Sequence, residues 1–350
     1  TRGGTAIIRP LGVNFFVFRG KKKREESIMK KFVCGLMAVG LALTGCGSQS
    51  STKDKADVKV GVIQYMQHDA LDASYKGFKD TLVKAGYKAS NITLKNASGE
   101  NSNCETIAES LVNDGNDLIY AIATPAAQAV VKKTKDIPVV VSAVTDPAGS
   151  KLVKSNKKPG GNVTGASDLT PVKEQIKLLK QIMPNAKTVA VMYAGNESNS
   201  EIQGKMAVKE IKAQGMTPLV KTVSESNEIQ SVTDSIVGKA DALYIPTDNL
   251  LASNIPAVVK VTDQAKIPVI VGEEGMCAKG GLATYGIDYY NLGSIAGKQA
   301  IKILTGKGKP ATMPIEYLKA SDCKLKVNKA QMEKLGIKVP QEVLDKAELI

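Results

Sequence analysis

From residue 58 onward the chain alternates short apolar runs with longer stretches of helical period. The runs at 58–65 (VKVGVIQY), 116–123 (NDLIYAIA) and 137–144 (IPVVVSAV) are nearly continuous in apolar and β-branched residues, as strands buried on both faces are. Between the first two, DASYKGFKDTLVKAG at 72–86 reads as a helix. The second half repeats the scheme at 188–194 (TVAVMYA), 241–247 (DALYIPT), 267–272 (IPVIVG) and 282–288 (LATYGID). Two internal copies reinforce this: AVVKKTKDIPVVV begins at Ala129, and AVVKVTDQAKIPVIV begins at Ala257. Each reads as a helix end, a turn closed by proline and a buried strand. Buried strands separated by helices predict parallel sheets covered on both faces. Roughly 300 residues exceed one hydrophobic core, so the expected fold is α/β, with two doubly wound parallel-sheet lobes.

Ligands of such sheets bind beyond the carboxyl ends of the strands. The segments falling there are QYMQHDALD, ATPAAQ and SAVTDP in the first half, and YAGNESNS, PTDNL, GEEG and GIDYY in the second. Thr124, Thr145, Ser198, Asn199, Thr247 and Asp248 are capping or turn types. Each caps its own helix on the simplest reading. A ligand-binding role adds to this, because free N–H groups at a helix start attract a carboxylate or phosphate.

The start of the chain follows another pattern. Met29, Lys30 and Lys31 give a short basic opening, followed by an uncharged apolar run from Phe32 to Leu43. That run is shorter than the roughly 20 residues of a membrane span, so 29–45 reads as a secretory signal. LTGC, ending at Cys46, resembles the bacterial lipoprotein box, which implies lipidation of Cys46 and cleavage before it. Residues 46–57 then form a polar, lipid-anchored linker. Residues 1–28 precede the signal and read as a translated leader rather than native protein; Arg24, Glu25 and Glu26 can be encoded by a purine-rich ribosome-binding sequence.

This division changes the charge. Nine of the 47 basic and two of the 34 acidic residues precede Cys46, so the remainder carries +6 rather than +13. The excess is dispersed, with 4% aromatics and no tryptophan, unlike a nucleic-acid footprint. A single histidine, His68, and no short-spaced cysteine pair argue against a metal site. Cys104, Cys277 and Cys323 permit at most one disulfide among them, with no spacing that selects a pair. The chain lacks the GxSxG elbow, the HExxH zinc motif and the GxxxxGK[ST] phosphate loop, so neither an enzyme nor a cofactor is expected.

Taken together and in order, ATPAAQA, SAVTDP, GGNVTGASDL, PTDN and GIDYYNLG resemble the extracytoplasmic substrate-binding lipoproteins of ABC importers, in the subgroup associated with tryptophan and other aromatic amino acids. The resemblance implies a type I periplasmic-binding-protein-like fold with three crossovers, near 165–168, 286–288 and 312–315. The N-terminal lobe would comprise 58–166 plus 288–313, and the C-terminal lobe 167–287 plus 314–350. It also implies a monomer that closes on an amino acid and delivers it to an ABC permease with its ATPase. An amino acid needs a carboxylate site, expected at the helix starts around Thr124, Pro125, Ala126, Ser198 and Asn199. Its ammonium needs acceptors, for which Asp288 stands first, then Asp248 and Glu274. Gln64, Tyr65 and His68 are expected to wall the side-chain pocket, and Thr145, Asp146, Ser167 and Thr247 complete the candidate site. A ligand sensor with the same cleft, or a site for a sugar, nucleoside or small peptide, stays open.

Overall fold

The computed structural model describes residues 53–319 and 322–350. The leader, the signal, Cys46 and the first part of the linker lie outside the described residues. The first half runs β1 (Val60–Gln64), α1 (Asp69–Lys84), β2 (Ile92–Asn96), α2 (Asn101–Asn113), β3 (Leu118–Ile122), α3 (Thr124–Lys133), β4 (Val139–Ser142) and β5 (Val163–Ser167). The second runs α4 (Val172–Ile182), β6 (Thr188–Ala194), α5 (Ser198–Ala213), β7 (Thr217–Val223), α6 (Ile229–Asp234), β8 (Ala242–Ile245), α7 (Asn249–Gln264), β9 (Val269–Val271), α8 (Glu274–Ala278) and β10 (Ala283–Gly286). The chain ends with α9 (Tyr289–Leu304), β11 (Glu316–Tyr317), β12 (Lys324–Val327), α10 (Lys329–Leu335), α11 (Gln341–Leu344) and β13 (Glu348–Leu349).

Two sheets result. The first has the order β2-β1-β3-β4-β5-β11 and is parallel throughout. The second has the order β7-β6-β8-β9-β10-β12-β13, parallel except where β10 meets β12. The central order 2-1-3-4-5 therefore occurs twice, and in each lobe the strand order reverses beside the first strand. In open α/β sheets a ligand crevice forms at such reversals, here the loops after β1 and β3 and those after β6 and β8. Strands β1, β3, β4 and β8 are wholly buried, as their unbroken apolar runs require.

The chain passes between lobes three times. It leaves the first sheet after β5, returns at Ile287 and Asp288 between β10 and α9, and leaves again between β11 and β12. This last passage lies later than the expected 312–315, because Glu316 and Tyr317 still pair with Ala166 and Ser167 at the edge of the first sheet. Helix α9 packs tightly along α1. A Cβ on Gly77 would overlap the Tyr290 carbonyl oxygen, and one on Gly293 would overlap that of Ser74. These glycines let the returning segment lie against the first lobe at backbone contact.

Candidate functional site

The two sets of strand ends face each other across an interlobe cleft with three parts. A deep cavity is lined by His68, Leu71 and Ala143 from the first lobe, Asn199, Thr247, Asp248, Asn249, Ala252 and Glu273 from the second, and Asp168 and Tyr289 from the crossovers. It is closed down to about 10 Å³, near the room one water needs. On the side of β2 and β7 lies a polar groove of about 620 Å³ that includes Tyr65, Glu100, Asn196 and Glu197. On the crossover side a pocket of about 300 Å³ lies between the starts of α1 and α8.

Cross-lobe bonds hold this closed arrangement. Gln203 Nε2 on α5 donates to Thr145 Oγ1 at 3.1 Å and also reaches the Thr247 carbonyl at 3.2 Å. His68 Nε2 lies 3.2 Å from Asn249 Oδ1. Gln128 Nε2 on α3 lies 3.4 Å from Ser198 Oγ, the first residue of α5, so these two helix starts meet across the cleft. Lys279 Nζ pairs with Asp69 at 2.7 Å outside the cavity.

Four carboxylates, those of Asp168, Glu197, Asp248 and Glu273, are buried here, and the sequence has no arginine beyond Arg24. Three of them are occupied by backbone or side-chain amides. Asp248 caps α7 through Leu251 N at 2.8 Å and accepts from Ala194 N at 2.6 Å. Glu273 caps α8 through Gly275 N and Met276 N, both at 2.6 Å. Glu197 accepts from Asn249 Nδ2 at 2.5 Å, Asn199 Nδ2 at 3.1 Å and Leu250 N at 3.2 Å. Asp168 differs: its side-chain partners are two hydroxyls, Tyr289 OH at 3.0 Å and Thr145 Oγ1 at 3.2 Å. Burial pushes the Asp168 carboxyl up to about 6 and that of Glu273 up to about 7. Burial and the neighbouring Asp248 carboxylate push Glu197 up as well. The cleft is thus short of positive charge.

It also holds polar groups without partners. Asn199 Oδ1 and Gln203 Oε1 are buried without a hydrogen-bond partner among the described residues, as is the Thr124 hydroxyl. In the opening turns of α3 and α5, Pro125 has no N–H and Ser200 N bonds to the Glu197 carbonyl at 3.1 Å, so the donors at these two facing helix starts are the amides of Thr124, Ala126, Ser198 and Asn199. Ala123 (φ 80°) and Ala143 (φ 53°), the residues just past β3 and β4, hold left-handed conformations that alanine disfavours. Strain of this kind gathers at binding sites, where it aims the following backbone.

Of the residues expected from sequence, His68, Asn199, Thr247 and Asp248 come together around the deep cavity, and Tyr65 lines the polar groove. Thr124, Pro125 and Ala126 form the buried first turn of α3, with Ser198 opposite. Thr145 joins the cross-lobe bond to Gln203. The others turn elsewhere. Gln64 donates to Met66 O and Asp72 within its own lobe, Asp146 accepts from Asn156, and Ser167 donates to the Thr145 carbonyl. Asp288 is exposed and caps α9 through Asn291 N at 3.0 Å, while Glu274 pairs with Lys326. Both border the crossover-side pocket and neither reaches the deep cavity. The sequence reading omitted Asp168, Glu197, Gln203, Asn249 and Glu273. Asp168, Glu197 and Glu273 stood within quoted strand-end or crossover segments, where a buried acid is indistinguishable from a surface one. Among the described residues, Cys104, Cys277 and Cys323 are free, the first two of them buried.

Comparison with known proteins agrees with this geometry. A "Tyrosine-binding protein" of Clostridioides difficile is 41% identical over 296 residues, covering 81% of this chain and 86% of its own. A crystal structure of an ABC domain from Streptococcus pneumonia in complex with L-Trp is 40% identical, with a TM-score of 0.79 over 83% of this chain and 99% of that one. A ligand-free, open substrate-binding protein from Clostridium difficile, also 40% identical, superposes with a TM-score of only 0.64 over 84% of this chain and 99% of its own. The cleft described here is a closed one by its cross-lobe bonds and its cavity of about 10 Å³, and the chain superposes better on the ligand-bound relative than on the open one. The fold is type I periplasmic-binding-protein-like. Residues 59–350 match the family described as ABC transporter substrate binding protein, whose members bind substrate rather than transform it, and the chain belongs to that family.

Proposed function

We propose that the protein captures an aromatic L-amino acid, tyrosine or tryptophan, outside the cytoplasmic membrane and delivers it to an ABC permease, tethered through a lipid on Cys46. The observation that carries this reading is Asp168, a buried carboxylate whose side-chain partners are hydroxyls alone, in a cleft that also holds two facing helix starts and no guanidinium. That set complements a zwitterion. The ammonium finds Asp168 and the free Asn199 Oδ1, and the carboxylate finds the opening amides of α3 and α5. Leu71, Ala143, Ala252 and the Tyr289 ring supply apolar contact for a side chain. The names of the C. difficile and S. pneumonia relatives support an aromatic ligand.

Capture is a shift of an open–closed equilibrium, because a ligand touching both lobes binds the closed form more tightly. A cavity of about 10 Å³ admits no amino acid, so entry requires the Gln203–Thr145 and His68–Asn249 bonds to part. The test is direct, since the protein has no tryptophan. Titrating protein into L-tryptophan should change the ligand's fluorescence, and L-tyrosine should compete where glucose and adenosine do not. Competition by a sugar or nucleoside alone would overturn the reading. For the tether, Cys46→Ser should release the protein into the medium; retention at the membrane would exclude the lipid.

A further inference from the structure

His68 begins the helical turn after β1, and its ring is buried on the first-lobe wall of the deep cavity beside Leu71 and Ala143. Its hydrogen-bond partner fixes its tautomer. Asn249 Nδ2, which can only donate, is committed to Glu197 Oε2 at 2.5 Å. The other end of that amide, Oδ1, can only accept, and it lies 3.2 Å from His68 Nε2. The Nε2 atom therefore carries a proton. Burial holds the imidazole neutral, so Nδ1 is a lone-pair acceptor. The polar groups on the opposite wall are carboxylates and amides suited to the ammonium, whereas His68 stands as a neutral acceptor on an otherwise apolar wall.

We infer that His68 reads the polar edge of the ligand's ring: Nδ1 accepts a hydrogen bond from the phenol O–H of tyrosine or the indole N–H of tryptophan. The inference rests on the aromatic-ligand reading above and adds the residue that separates these two from phenylalanine. Phenylalanine offers no donor and leaves a buried acceptor unpaired, which selects against it by roughly 10- to 100-fold in Kd.

Because the chain has one histidine, ring 15N spectra of the full untagged protein report this residue alone. The expected result is the Nε2–H tautomer, with Nδ1 shifting on addition of L-tyrosine or L-tryptophan and staying near its starting value with saturating L-phenylalanine. An Nδ1–H tautomer, or the same shift with all three, overturns the inference. His68→Phe gives a second measurement. It should weaken tyrosine and tryptophan at least 10-fold and phenylalanine less than about 3-fold, collapsing the selectivity ratio. A residue that merely holds the lobes together would weaken all three equally. If none of the three binds the unaltered protein, the aromatic-ligand reading itself falls; if all bind without discrimination, only the role of His68 falls.

Discussion

Replacing Asp168 by asparagine removes a charge and keeps the shape, and the closed cleft makes two opposite demands on that charge. In the closed form the carboxyl is buried against two hydroxyls, and its titration moves from an ordinary 3.8 to about 6. Holding it ionised there costs about 3 kcal/mol. A raised carboxyl favours the closed form fully below its solvated value near 4, and that support is lost as pH rises through about 6. On the function proposed above, the ligand-free protein should therefore open at pH 8 to solvate Asp168, and a ligand ammonium should relieve the cost of closing. Asp168→Asn should shift the ligand-free equilibrium toward closure on the order of 100-fold at pH 8. It should also weaken amino-acid binding roughly 10- to 100-fold through loss of the charged acceptor. Small-angle scattering reads the first effect. The radius of gyration of ligand-free Asp168→Asn at pH 8 should approach that of the ligand-saturated original, and the original should contract between pH 8 and pH 5. If the variant stays as open as the original at pH 8, or binds ligand equally well, Asp168 is not the uncompensated charge described here.

Three further outcomes follow from the same geometry. Affinity for the amino acid should fall between pH 7 and pH 5, by up to about tenfold, as the ligand-free carboxyl regains its proton and the empty cleft closes around it; calorimetric Kd values that hold constant over that range would contradict an ammonium on Asp168. Gly77→Ala forces a methyl into the Tyr290 carbonyl, so thermal unfolding should show a loss of about 3 kcal/mol, and an unchanged midpoint would mean α1 and α9 are less tightly joined than described. Lys279→Ala removes a cross-lobe ion pair whose two side chains are both largely exposed, so Kd should change less than about fivefold and the effect should vanish in high salt; a larger loss would give that pair a structural weight its exposure argues against.

The strands found from sequence were those buried on both faces, where nearly every position is apolar. Strand β2 (ITLKN) and strand β7 (TPLVKTV) went unnoticed because they are sheet edges with mostly exposed or half-exposed side chains, which read as polar linkers. Strand β5 (VTGAS) is short and contains Gly165 at φ 151°, pressed so closely against Val141 that only glycine fits. In the site, strand-end reasoning found the loops but could not rank their acids. Glu273 and Glu274 are adjacent and chemically alike. Glu273 is the N-cap, turned inward onto the amides of α8, and Glu274 opens the helix and turns out to Lys326. One residue of helical phase separates a buried, amide-bound carboxylate from a half-exposed one paired with the buried Lys326.

What the sequence determined by itself is what depends on local spacing: two copies of a parallel α/β unit, their buried strands, and capping residues gathered at the strand ends. These follow from the period of apolar positions and the chemistry of turns, which neighbouring residues set. The tertiary structure decided which of those residues face one another. Asp168 became an uncompensated charge, and His68 a neutral acceptor, only because the crossovers bring Tyr289 from α9 against the end of β5 and Asn249 of the second lobe against the first. The state of an ionisable side chain depends on the dielectric and partners around it, and here those partners are up to 181 residues away in the chain.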